Sequence, residues 1–293
     1  PAAPRVRCAG SRSTPAATCA PGSTAIAAAC PYSSDRHVTP EELTPALALA
    51  TDGSPGVSPA EALALLGAGE LTVEGRLVDA SNATFYCAVS AQGRTAAAVY
   101  KPIAGERPLW DFPDGTLAER EVAAYEVSVA LGWQIVPPTV LRDGPAGPGM
   151  VQLWLDVDDT VQLTRFIRRY DDDRLRQIAV FDAVINNADR KGGHLLPLPD
   201  GRVYGVDHGV SFHAEDKLRT VLWQWAGDEL PAATCTALES LRADLDGALG
   251  ERLGELLTRR EVSRTRSRVD RLLANRRHPE PRGDWPPVPW PPI

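Results

Sequence analysis

The chain has 293 residues, enough for one large domain or two lobes with a sizeable core. Its composition is that of an ordinary globular protein, 43% hydrophobic and 24% charged, and it contains no run of about 18 apolar residues that would cross a membrane. A net charge of −7 argues against the basic field of a general nucleic-acid binder, so no nucleic-acid partner is expected.

Only Lys101, Lys191 and Lys217 among the 31 basic residues are lysines, so each is worth inspecting for a particular task. The five cysteines are odd in number and show no CxxC spacing, which speaks against a disulfide framework or zinc site. A reducing cytoplasm is the expected compartment. Residues 1–30 are Ala-rich but lack the apolar stretch of a signal peptide. With Pro1 first and Met150 the only methionine, the native start is expected to be missing or misassigned.

Residues 1–57 are rich in Ala, Pro, Ser, Thr and Gly and are expected to form a disordered low-complexity tail, with a short helix possible at 40–50. A helix at 58–67 leads into three strands at about 71–78, 84–90 and 95–101, with turn residues from Asp79 to Asn82. Residues 116–131 carry Leu117, Val122, Tyr125, Val129 and Leu131 at helical spacing. Thr116 and Glu119 there form a capping-box pattern. Two further strands, VPPTVLR and GMVQLWL, complete a β-rich lobe over 58–155.

Helices are expected at about 171–187, 215–226, 232–247, 249–258 and 260–276, interrupted by a hairpin at 195–206. They make a helical lobe over 156–277. Asp171 to Asp173 read as a solvated helix start that suits the helix dipole. The Pro/Trp-rich tail, 278–293, reads as extended polyproline, either a ligand for a protein partner or a segment whose Trp rings lie on the domain. The basic run 259–277 reads as a solvated face or a dock for acidic lipid or a partner.

The residues that carry chemistry lie between. Lys101 ends the apolar strand AAAVYK, where an ammonium facing a cleft can hold phosphate oxygens. A snorkelling strand-end lysine is the plainer alternative. Glu121, twenty residues on in the next helix, can pair with it or stand as a solvated helix charge. The loop INNADRKGGHLL offers Asp189, which can accept or orient a substrate proton, and Lys191, which can neutralise a transferring phosphoryl group. In VYGVDHGVSFH, Asp207 ends a strand before a Gly turn, a place suited to Mg²⁺ bridging ATP phosphates. His208 and His213 read more simply as structural histidines. Trp223 and Trp225 read as packing aromatics, and Trp110 as packing over the Glu121 helix.

The order strand-Lys, helix-Glu, ADRKGGH, VDHG resembles the protein-kinase-like superfamily, most closely its phosphatidylinositol 3-/4-kinase-like and HipA-like branches, and in particular small actinobacterial proteins of that kind. The resemblance covers about 70–230 and implies an α+β, two-lobed, atypical protein-kinase-like fold that uses ATP and Mg²⁺. By it, Lys101 holds the α/β-phosphates, Glu121 positions it, Asp189 is the catalytic aspartate and Asp207 the principal Mg²⁺ ligand. Gln152, Leu153 and Trp154 lie near the adenine, and Ser81, Asn82 and Thr84 cover the phosphates without a GxGxxG loop. His194 stands where the family has an Asn metal ligand and Lys191 where it has a His; imidazole suits Mg²⁺ poorly. The implied activity is phosphoryl transfer to an unidentified hydroxyl of a protein, small molecule or lipid. A nucleotide-binding pseudokinase, an AMP transferase on the same fold and a metal-dependent hydrolase using Asp189, His194, Asp207 and His208 are the alternatives.

Overall fold

The computed structural model describes residues 44–47, 49, 56–77, 82–283 and 286–293. It is an α+β protein in which a β-rich part precedes a mainly helical part, the expected class.

Helix α1 (Pro59–Ala68) starts on a Ser58/Glu61 capping box with Pro59 at its first turn, and buries Ala62, Leu65 and Leu66. Strands β1 (Glu70–Arg76), β2 (Phe85–Ala91), β3 (Arg94–Pro102), β4 (Thr139–Gly144) and β5 (Gly147–Leu153) form one antiparallel sheet in the order β1-β2-β3-β5-β4. The β2–β3 hairpin turns on Gln92 and Gly93, both at positive φ (51° and 75°), the turn whose twist matches its strands. Phe85, Val89, Tyr100 and Leu153 pack with Leu65 and Leu66 into a sheet-side core.

Helix α2 (Leu117–Ala130) does not use the expected cap. Thr116 Oγ1 donates to Pro113 O instead (2.8 Å). The Glu106 carboxylate accepts from Leu117 N and Ala118 N at 3.1 and 2.9 Å, capping the helix from outside and matching its dipole. Val129, expected on the buried side, is exposed. The rest of the apolar face joins the second, larger core with α3 (Leu163–Phe166), α4 (Asp173–Ile185), α5 (Ala232–Leu245), α6 (Ala248–Leu256) and α7 (Arg259–Asn275). Asp172 caps α4 and is buried rather than solvated. The expected hairpin is β6 (Leu195–Pro197) with β7 (Val203–Gly205).

Three other expectations are corrected. No helix forms at 215–226: Thr220 bridges Arg190, Gln224 donates to Ile167 O and Trp225 Nε1 to Tyr170 O, so long-range bonds displace the local helix. Residues 44–47 are not helical, and the rest of 40–50 apart from Leu49 lies outside the described residues. Thr44 is bonded to the Glu74 carboxylate, Pro45 O accepts from Ala97 N, and Leu49 and Val57 are buried in the sheet-side core. In the C-terminal tail, Pro287 O accepts from Thr220 N (3.0 Å) and Trp223 Nε1 (2.8 Å), and Pro292 O from Gly192 N (2.8 Å). Trp290, however, is 85% exposed rather than laid on the domain. The remainder of the 1–57 expectation falls outside the described residues. No helix among the described residues is long and apolar enough to cross a membrane.

Candidate active site

Strand β3 delivers Lys101 to the mouth of a cleft between the sheet and the helical part. Its ammonium donates to Glu121 Oε1 at 2.8 Å and also contacts Asp207. Burial pulls the Lys101 ammonium down, but the Asp207 and Glu121 carboxylates outweigh it and hold its pKa above the usual lysine value. Asp207 is held well below the usual carboxylate range, chiefly by Lys101. Glu121 is buried, and its second oxygen accepts the His208 backbone N–H at 2.8 Å. One helical carboxylate therefore fixes both the lysine and the backbone after Asp207. Asp207 sits at φ 60°, a left-handed conformation that non-Gly residues adopt at a cost. That turn aims its carboxylate into the cleft.

The loop after α4 brings the other candidates. Asn186 ends α4 in the left-handed conformation. Asn187 accepts from Asp189 N (2.9 Å) and donates to Asp182 (3.0 Å), so it shapes the loop. Asp189 lies 3.0 Å from the Lys191 ammonium. His194 Nε2 is 3.6 Å from Asp207, and its Nδ1 is buried without a hydrogen-bond partner among the described residues. Desolvation lowers its pKa, which favours the neutral ring. Thr84, Asn82, Lys101, Glu121, Asp189, Lys191, His194 and Asp207 all line this cleft of about 210 Å³. Asn82 also accepts from Arg107 N at 2.9 Å, tying the β1–β2 connection to the loop that carries Glu106.

Three expected contributors do not line this cleft, and a fourth is not described. The backbones of Gln152 and Leu153 lie in the β5 ladders, and the Gln152 amide donates to Thr139 Oγ1. Trp154 N donates to Ala97 O, and its ring meets Tyr86 edge-on. None of the three is among the residues lining the Lys101 cleft. Ser81 lies outside the described residues. Trp110 does not pack over the Glu121 helix: it is 85% exposed, with the Lys217 ammonium 4.8 Å from its ring centre.

The sequence reading missed Arg190 and Asp182. Both side chains are fully buried and ion-paired at 2.9 Å. Arg190 also donates to Val206 O (3.1 Å), lies 2.7 Å from His208 Nε2, and extends toward His194 O at 3.4 Å. It thus joins α4, the Asp189 loop and the Asp207 loop. The available signal was an acid, Asp182, set among the apolar residues Ile178, Phe181 and Ile185. His208 is structural, fully buried and edge-on to Phe181. His213 is likewise structural, accepting from Glu215 N.

These groups can hold a polyanion: an ammonium fixed by two carboxylates, a second lysine, and polar side chains from the β1–β2 connection. No group of three or more His, Cys, Asp or Glu side chains among the described residues forms a ready metal cage. That donor set still fits Mg²⁺, which is commonly bound by one or two carboxylates plus substrate phosphates.

No family model matches the chain. Protein Rv2133c of Mycobacterium tuberculosis is 47% identical over 262 residues, which is 78% of this chain and 94% of that protein. The crystal structure of the Helicobacter pylori proinflammatory kinase CtkA matches 71% of this chain and 98% of its own at 12% identity, with a TM-score of 0.41.

Proposed function

The chain belongs to the family of the mycobacterial protein Rv2133c, and we propose that it is an ATP- and Mg²⁺-dependent phosphotransferase of the kinase-like type. The observation that carries this reading is the convergence of Lys101, Glu121, Asp189 and Asp207 on one cleft from four separate elements.

In this reading Lys101 binds the α/β-phosphates and Glu121 keeps the ammonium aimed. Asn82 and Thr84 cover the phosphates from the β1–β2 connection. Asp207 holds Mg²⁺, with neutral His194 beside it orienting that carboxylate. When bound, the ion supplies neutralisation of charge on the phosphate oxygens. Asp189 takes the proton of the acceptor hydroxyl, and Lys191 neutralises the phosphoryl group in transit. Most of the catalysis is positioning and charge stabilisation.

The motif order favours the phosphatidylinositol 3-/4-kinase-like branch. The acceptor favoured here is a protein or small-molecule hydroxyl rather than an inositol lipid. Residues 210–230 contain only Lys217 and Arg219 as basic residues, and Lys217 is engaged by Asp111 at 2.5 Å.

A nucleotide-binding pseudokinase is the second reading. It rests on His194, a partly buried imidazole (side chain 14% exposed) where the resembling family has an amide oxygen.

Incubation with ATP labelled at the γ- or the α-phosphate tests both. Transfer of γ-label to protein or water, lost in Asp189→Asn and Asp207→Ala, supports the kinase. Binding without any transfer supports the pseudokinase, and transfer of α-label would mean AMP transfer. Absence of nucleotide binding contradicts both.

A further inference from the structure

The basic run of α7 is not a simple solvated face. Arg264 and Arg266 donate to the backbone oxygens of Ala214 and Leu245, and residues further along the run wall a concavity. This pocket of about 450 Å³ is larger than the Lys101 cleft and opens between α7, the segment 216–227, residues 277–282 and Pro287. Arg268, Arg271, Arg277 and Arg282 bring four positive charges to its lining, and Asp216 and Glu280 bring two negative ones. Arg268 is 2% exposed, lies 3.2 Å from Asp216, and keeps Nη1 buried without a partner among the described residues. Arg271 and Arg282 reach the same Asp216 carboxylate, each at 3.0 Å, while their side chains stay about half exposed. Three guanidinium groups share one carboxylate. Arg277 is drawn off to Glu229 (3.3 Å) and Gly227 O, so the excess positive charge that favours an anion comes from Arg268, Arg271 and Arg282 around Asp216.

We propose that this pocket is a second ligand site, for a soluble small molecule bearing a phosphoryl or pyrophosphoryl group. Guanidinium forks match phosphate oxygens two at a time. The arginines converge in a concavity rather than spreading over a flat face, which favours an enclosed ligand over a membrane surface. Trp223 and Pro287 add flat apolar walls for the rest of such a molecule. Asn186, on the same lining, bonds to His213 O, Glu215 O and Lys217 N, so the ligand would rest against the segment that continues from Asp207.

Inorganic pyrophosphate without Mg²⁺, titrated calorimetrically into the full chain, tests this. A Lys101→Ala background removes the first cleft's lysine and keeps the two sites separate. Binding is expected to persist in Lys101→Ala, to weaken with added salt, and to fall about tenfold or more when Arg271→Ala and Arg282→Ala are added. Those two side chains are partly exposed, so matched melting temperatures will show that the fold is kept. No binding in Lys101→Ala, or binding unaffected by loss of the two arginines, overturns the proposal. Phosphatidylcholine vesicles containing phosphatidic acid form the second arm. Co-sedimentation that depends on Arg271 and Arg282, without pyrophosphate binding, would make the patch a lipid surface and overturn it too.

Discussion

The Glu121 carboxylate holds Lys101 with one oxygen and the His208 backbone N–H with the other, both at 2.8 Å. The residue that aims the ammonium is thus the same one that fixes the turn presenting Asp207. Glu121→Gln keeps the shape and removes the charge. It is expected to weaken Mg²⁺-ATP affinity about tenfold while leaving the fold intact. Nucleotide titration followed by thermal unfolding checks this; unchanged affinity would mean that Lys101 needs no partner.

The Asp182–Arg190 pair ties three elements together from full burial. Removing one partner leaves an uncompensated charge, so Asp182→Asn is expected to cost about 3–5 kcal/mol in urea denaturation. Arg190→Lys is also expected to destabilise, because an ammonium cannot reproduce the planar fork that reaches Asp182 and Val206 O.

The cap of α2 separates local pattern from tertiary fact. Glu106→Ala is expected to cost about 1 kcal/mol, because it strips the acceptors from Leu117 N and Ala118 N. Thr116→Val should cost less, since its hydroxyl caps no backbone N–H of the helix. Equal costs, or the reverse order, would contradict the assignment.

His278 is buried, and desolvation, with Arg176 beside it, lowers its pKa to about 4. The unfolded chain therefore binds a proton there near pH 6.5 that the folded chain refuses until about pH 4. The stability contribution of neutral His278 is complete above about pH 6.5 and is lost as pH falls toward 4, at no more than ~1.4 kcal/mol per pH unit. Denaturation at pH 7 and pH 5 should show a smaller acid loss in His278→Gln than in the wild type.

The sheet and most helices were legible because their signals are local: the apolar runs FYCAV in β2 and AAAVY in β3, the Ser58 box of α1, the spacing of α2. The cleft was legible because Lys101 sits at the end of its strand, Asp189 and Asp207 in the loops that follow α4 and β7, and Glu121 within the first half of α2. The segment 215–226 was not, since Leu218, Leu222 and Trp225 have a helix-like spacing whose backbone bonds are taken by Arg190, Pro287 and neighbours far along the chain. Arg190 and Asp182 were hidden for a related reason. A buried pair joined across loops leaves no periodic trace, and an arginine among 28 does not stand out. The bond from the Gln152 amide to Thr139 Oγ1, across the β4–β5 ladder, likewise left no trace in the sequence pattern.

The central claim is that the Lys101–Asp207 cleft binds ATP with Mg²⁺. Its most direct test is the thermal unfolding of wild type, Lys101→Ala and Asp207→Ala with ATP, with and without Mg²⁺. At about 100 times the dissociation constant, ATP should stabilise the wild type by ~2.7 kcal/mol, a rise of roughly 5 °C, only with Mg²⁺ and in neither variant. A wild-type melting temperature unmoved by any nucleotide would contradict the account.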